Sequence, residues 1–265
     1  MTTLTDSAPR CLVEALRGER HSRPKADTTS GAGLRAILED GIYEVLGADH
    51  LAQPLIVRAS SLRNIAPTSD IALSPLSRVR GILVNHILRL LSIGAEVSSP
   101  FDDALEAWRL EIGTSELLDY IERLDGDDRA RLSTDVTAHS TTLMRSLGSV
   151  PSRWLPRSAV RATQHLSAGR VQLRDLVDLM VGTTSSDLAN VALVDVTTSP
   201  LAEGAERSMR YHALVQTLRT SVVPLRTSAF STATGEMWSL DVDSELLVRS
   251  ANEVLSTIEH LWSQR

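Results

Sequence analysis

The feature that most constrains this chain is a pair of short apolar segments, each with an acid inside it. One is Leu176-Val177-Asp178-Leu179-Met180-Val181, and the other is Val191-Ala192-Leu193-Val194-Asp195-Val196. Runs this short and this rich in Val and Leu, bounded by Gly, Ser and Thr, read as buried strands. A carboxylate inside a buried strand costs free energy unless it finds a partner. On neighbouring strands across a turn, Asp178 and Asp195 can share one: paired carboxylates hold a hard divalent cation. The alternative is an arginine paired with each acid in the core, and the pattern leaves both open.

Around these segments the chain divides into three. Residues 1–31 are polar, with Pro9, Pro24 and a DTTSGAG run, and predict a mobile tail around one short helix from Leu12 to Arg17. Residues 32–150 predict a helical N-terminal region and insertion. Apolar residues recur at helical spacing from Gly33 to Leu46 and from Ser77 to Ile93, and further helices fit 102–111, 115–123 and 127–147. Ser115 and Asp127 are candidate N-caps. Between the first two helices, residues 48–75 look irregular, with a short strand at Leu55 to Arg58.

Residues 151–265 predict an α/β core. Strands are expected from Trp154 to Leu166, Arg170 to Val181 and Val191 to Thr197, then a helix from Glu203 to Arg219. Further strands fit Val222 to Thr232 and Met237 to Val242, and a helix from Asp243 to Trp262 closes the chain, capped by Asp243.

Composition narrows the function classes. A chain of 265 residues, 42% hydrophobic and 23% charged, can bury a large core as a soluble protein. No apolar run reaches the ~18 residues of a membrane span. The MTTLTDSAPR start lacks the basic and apolar regions of a signal peptide, which predicts a cytoplasmic location and no membrane partner. Cys11 is the only cysteine, which excludes an intramolecular disulfide, a four-cysteine zinc site and an iron–sulfur cluster. A net charge of −6 gives no global attraction to nucleic acid, so binding of that kind must use a local basic patch. Lys25 is the only lysine among 27 basic residues.

The order of elements, together with L-V-D-L-M-V-G and V-A-L-V-D-V-T-T-S, resembles a PD-(D/E)XK nuclease of the RecB exonuclease-domain type. That family carries a V-D-L strand, then V-x-(D/E)-x-K-(T/S)-G, then a Q-x-x-x-Y-A-L helix. Here these correspond to Val177-Asp178-Leu179, to Asp195-Val196-Thr197-Thr198-Ser199 and to Ser208 through Leu214. Upstream, Arg80-Gly81-Ile82-Leu83-Val84-Asn85-His86 resembles the R-G-x-L-V-H helix. Downstream, Pro224 through Phe230 and Gly235-Glu236 resemble the next strand and its hairpin. The resemblance spans residues 76–262. It implies a restriction-endonuclease-like mixed sheet flanked by helices, and Mg²⁺ or Mn²⁺ held by Asp178 and Asp195. Such a metal activates a water and neutralises the scissile phosphate.

The departures from that pattern fall on the chemistry. Thr197 stands at the lysine position and brings no charge, and Lys25 lies in the polar tail. Arg207 and Arg210 on the following helix are the candidate substitute cations, although arginine cannot serve as a base. The family's early histidine aligns with Asn85, with His86 about 100° further round the helix. The glutamine and tyrosine of Q-x-x-x-Y align with Ser208 and His212, or in the alternative register with Arg207 and Tyr211. The candidate site is therefore Asp178, Asp195, Thr197, His212, Arg207 and Arg210, with the two aspartates as metal ligands. Arg153, Arg157, Arg161, Arg170 and Arg174 cluster on the first two core strands, where they mark either a nucleic-acid contact or a solvated face. The resemblance implies a nuclease-family protein with impaired or lost cleavage and weak or no metal binding. It would bind DNA, or serve as a structural subunit beside a helicase or an intact nuclease. The alternative is an active Mg²⁺- or Mn²⁺-dependent deoxyribonuclease with an atypical site.

Overall fold

The computed structural model describes residues 25–47, 53–63, 74–112, 115–147, 150–185 and 187–264, together with Leu12 and Leu16. The elements in order are α1 (Ser30–Leu46), β1 (Leu55–Val57), α2 (Ala59–Arg63), α3 (Pro75–Ser92), α4 (Pro100–Ile112), α5 (Glu116–Glu122) and α6 (Gly126–Leu147). They continue with β2 (Arg157–Leu166), β3 (Val171–Val181), β4 (Ala192–Thr197), α7 (Gly204–Thr220), β5 (Arg226–Ser231), β6 (Met237–Asp241) and α8 (Ser244–Ser263). The fold is α/β, a mixed six-stranded sheet flanked by helices. Among the described residues, no helix is long and apolar enough to cross a membrane.

Several boundaries follow from single residues. Ser74, Ser115 and Asp243 accept hydrogen bonds from the backbone N–H groups of Ser77, Leu118 and Leu246, which starts α3, α5 and α8. At α6 the expected cap, Asp127, gives way to Asp125, whose carboxylate accepts from Asp128 N at 2.8 Å. The strand expected from Trp154 begins only at Arg157, because Ser152–Trp154 forms a 3₁₀ turn and Leu155 takes a φ of 50°. The strand expected from Val222 is shorter than its apolar run and starts after Pro224 and Leu225, at Arg226. Helix α2 has no apolar periodicity and gave no signal. Of the expected helix from Leu12 to Arg17, all but Leu12 and Leu16 lies outside the described residues.

Strand β3 organises the sheet. One of its edges pairs antiparallel with β2 along its length, from Val171 opposite Leu166 to Met180 opposite Arg157. The other edge is divided. Val171–Leu173 pair parallel with β1, and Leu179–Val181 pair antiparallel with β4. Beyond β4, α7 leads to the parallel strand β5, and β6 closes that side. The hairpin after β3 depends on Gly182 (φ 94°), where a Cβ would lie 2.0 Å from the Asn190 carbonyl oxygen.

The helices before the core do not form one layer. Helices α3 to α6 cover one face and bury Leu179, Val181, Val194 and Val196 of the sheet. Helices α1, α2, α7 and α8 cover the other, over Val57, Leu166, Val171 and Leu173. The alternation along β3 therefore changes sides between Leu173 and Leu179, which a regular strand would place on one face. Strand β2 changes with it: Ala162 and Leu166 face the α7 side, while the Ser158 hydroxyl meets Ser92 of α3 at 3.3 Å. The rollover falls where Ala159 (φ 49°) stands across from Asp178.

Candidate active site

Asp178 occupies the rollover, at the point where β4 separates from β3. The last paired residues are Leu179 and Val194, and one step further brings Asp178 opposite Asp195. Where the ladder opens, the Asp178 side chain takes over as acceptor: Val196 N donates to its Oδ2 at 2.7 Å, and Asn85 Nδ2 on α3 donates to its Oδ1 at 3.1 Å. Asp195 stands close enough for its charge to act on Asp178. Burial first, then the Asp195 charge, holds the Asp178 carboxyl well above the usual carboxylate range. Two carboxylates this close disfavour a second charge, so Asp178 keeps its proton to higher pH than a free aspartate.

A third acid extends the group. Asp175 shares the inward face of β3 with Val171, Leu173 and Val177 and is 9% exposed. His212 Nδ1 lies 2.7 Å from Asp175 Oδ1, and its Nε2 lies 3.9 Å from Asp195 Oδ2, too long for a hydrogen bond but close for an ion pair. Burial opposes a charge on this ring, but the charge and hydrogen bond of Asp175, with help from Asp195, outweigh it and push the histidine up to about 10. Asn85, Asp178, Asp195, His212 and Asp175 thus form one chain of contacts from α3 through the sheet to α7.

The structure brings Asp178, Asp195 and His212 together, and it directs the two arginines elsewhere. Arg210 places its fork on Glu253 of α8, with Nε to Oε2 at 3.1 Å and Nη2 to Oε1 at 2.7 Å. Arg207 reaches toward the Leu62 carbonyl at 3.5 Å and lines a hollow of about 530 Å³ with Glu245, Arg249 and Glu253, away from Asp175, Asp178 and Asp195. The notion that either supplies the missing charge is corrected by these partners. Thr197 serves the strand end: its Oγ1 accepts from Ser199 N at 3.1 Å, and its carbonyl accepts from Thr232 N and Oγ1 at 2.9 and 3.0 Å. Lys25 pairs through its backbone with Leu188, in the loop joining β3 and β4.

Both readings of the Q-x-x-x-Y helix bring one residue to the sheet, His212 against Asp175 and Asp195 in one register and Tyr211 in the other. Tyr211 is fully buried, with its hydroxyl 2.8 Å from Val57 O and 3.0 Å from Arg174 O. A cleft of about 210 Å³ opens beside Asp178, lined by Asn85, His86, Arg89, Glu111 and Arg161 among others. His86 stacks on Trp108 with ring centres 6.1 Å apart, and burial, then the Arg89 charge, lowers it to about 4. Of the basic cluster on β2 and β3, Arg161 reaches this cleft, whereas Arg157 and Arg170 donate to the carbonyls of Gly182 and Gly47.

The acids are the right donors for a hard cation, which takes one or two carboxylates and completes its shell with water and phosphate oxygens. Among the described residues, no group of three or more His, Cys, Asp or Glu is placed to hold a metal ion. Sequence reasoning missed Asp175, although its parity with Leu173 and Val177 marks it as inward-facing.

No family model matches the chain, and no curated protein matches it. A solved structure described as "Crystal structure of SSO0001" is 9% identical, covers 84% of each chain and gives a TM-score of 0.32, a level of likeness that carries nothing about fold family or function.

Proposed function

We propose that this chain is a nucleic-acid-binding protein of the PD-(D/E)XK, RecB-like type whose cleavage is impaired or lost. Its partners on this reading are DNA and a helicase or intact nuclease beside which it acts. The observation that carries the reading is the meeting of Asp178 and Asp195 where β3 and β4 separate, with Asn85 of α3 bonded to Asp178. The order α3, β2, β3, β4, α7, β5 supplies the same succession of elements that the family resemblance implies. Asp178 and Asp195 would hold Mg²⁺ or Mn²⁺, and the metal would supply water activation and charge neutralisation at a phosphate. What points to impaired cleavage is the group next to those ligands. Thr197 brings no charge, and its hydroxyl oxygen and carbonyl accept from Ser199 and Thr232 where β4 ends. Removing one preorganised donor from an anion site costs about 10²–10³ in rate.

The test is a cleavage assay on single- and double-stranded DNA with Mg²⁺ or Mn²⁺, alongside binding measured in the same buffers. Binding with negligible cleavage supports the reading. Rapid cleavage abolished by Asp195→Ala would establish an active deoxyribonuclease with an atypical site. A second reading rests on the Asp175–His212 pair. With an imidazolium already facing Asp195, the acids would form a structural network that needs no cation, and Asp178→Ala and Asp195→Ala would then change stability while leaving Mn²⁺ and DNA binding as they are.

A further inference from the structure

Helix α3 carries a second polar feature five residues before Asn85, about 1.4 turns back. Arg80 is three-quarters buried on its side chain, and its Nε is fully buried with no hydrogen-bond partner among the described residues. Its Nη1 lies 3.6 Å from Asp135 Oδ2, beyond hydrogen-bond length, and the Asp135 side chain is 55% exposed. A buried guanidinium N–H without an acceptor costs free energy and calls for an explanation.

Its location supplies one. A Cβ on the neighbouring Gly81 would meet the Thr198 hydroxyl at 4.0 Å, so α3 crosses the chain where β4 ends. On the other side, His139 of α6 has its Nδ1 2.9 Å from Thr232 Oγ1, and that hydroxyl donates to Thr197 O. The hydroxyl proton is committed to Thr197, so His139 must donate from Nδ1. Burial first, then the Arg80 charge, lowers the basicity of His139, which leaves Arg80 as the cation of this corner. The corner lies at the carboxyl ends of the parallel strands β4 and β5, where open α/β sheets bind ligands. Asp195 lies two residues back on β4, about 7 Å along the strand.

We propose that Arg80 is the anion-binding residue of this site, taking a non-bridging oxygen of a nucleic-acid phosphate at the ends of β4 and β5. The proposal rests on the nucleic-acid reading above and deepens it. It places a permanent cation near the position that Thr197 leaves without charge. An arginine there binds a phosphate but cannot take a proton from water, which favours a protein that holds its ligand without cutting it.

The test is carried out on the full chain in EDTA, so that no metal contributes. Fluorescence anisotropy with a labelled single-stranded oligodeoxynucleotide measures affinity across a salt series. Arg80→Gln is expected to weaken binding about tenfold and to lower the salt slope by about one. Arg80→Lys is expected to keep most of the affinity, and Asp135→Asn to keep all of it. Thr198→Glu, which sets a carboxylate where α3 crosses the end of β4 and leaves Arg80 in place, is expected to weaken binding as well, and it stands in if Arg80→Gln does not fold. In parallel, thermal unfolding in inorganic phosphate is compared with chloride at equal ionic strength. Phosphate should raise the midpoint of the wild type and not that of Arg80→Gln.

If DNA does not bind but this phosphate difference is present, the nucleic-acid reading fails and the anion site stands. If DNA binds and Arg80→Gln matches the wild type in affinity and slope, the anion site is overturned and the reading stands. If neither probe engages the wild type, both are overturned.

Discussion

Arg210 and Glu253 join α7 to α8 by two parallel hydrogen bonds, and Glu206 adds a third contact at 3.3 Å. The Arg210 side chain is 10% exposed and Glu253 is 22% exposed, so water screens the pair only in part. Removing one member of a buried pair strands the other, at a cost of about 3–5 kcal/mol when burial is complete. Arg210→Ala should therefore destabilise the fold by about 2–4 kcal/mol in urea unfolding. It should leave any Mn²⁺ affinity intact, because the arginine turns away from the acids.

For the acids the expected behaviour is the reverse. Asn85 and Val196 both donate to Asp178, and Asp195 repels a second charge there. An amide fits the space of a protonated carboxyl, with its oxygen on Val196 N and its NH₂ on Asn85 once that amide turns to accept, so Asp178→Asn should change metal-free stability at neutral pH by less than about 1 kcal/mol. It should also remove Mn²⁺ binding, read by titration calorimetry. A loss of several kcal/mol without metal would mean that the carboxylate is ionised and structural.

Thr197→Lys returns an ammonium to the strand face of Asp195. If the acids and their spacing are sound, cleavage should rise by about 10²-fold over the wild type, read as initial rate in Mn²⁺. No rise would mean that the His212 imidazolium beside Asp195 already prevents a productive metal from binding.

His86 sets a pH limit. Its folded value of about 4 lies below the ordinary histidine value near 6.5, so between these two the unfolded chain binds a proton that the folded chain does not. Stability should fall as pH drops through this window, by roughly 2–3 kcal/mol in total, less what Glu111 at 3.9 Å returns to the charged form. His86→Phe keeps a ring against Trp108 and should flatten the curve between pH 6.5 and 4 in denaturant midpoints. An unchanged slope would remove His86 as the cause.

How far the sequence led can be seen in two helices. Helix α8 carries its apolar residues on one stripe and a capping aspartate before it, so its position and its buried face were both legible. Helix α7 was legible as a helix only. Every residue from Ser208 to Leu218 is buried, so no stripe says which side meets the sheet, and the roles of Arg207, Arg210, Tyr211 and His212 could not be assigned. The strands bearing Asp178 and Asp195 were plain from composition. That Asp175 joins them through His212 depends on a contact between β3 and α7, and periodicity reports which face is inside but not what it meets there. The rollover at Ala159 and Asp178 left no mark either, because an alanine at positive φ has no sequence signature.

Because β1 and β4 take opposite ends of one edge of β3, the stretch from Arg174 to Asp178 is clamped at each end of that edge and open between, while β2 backs it on the other edge. Tyr211 is the rivet along that span, its single phenolic proton divided between the carbonyls of Val57 and Arg174. Burial, then the Asp175 charge, raises the phenol far above its ordinary value, so the proton stays in place at any pH the fold survives. A three-residue strand more than a hundred positions upstream thus holds the near end of the strand that carries Asp175 and Asp178. A fragment beginning at Ser74 would keep all three acids and His212, yet it would lose β1 and the Val57 acceptor of Tyr211, and only β2 would then hold the near end of β3.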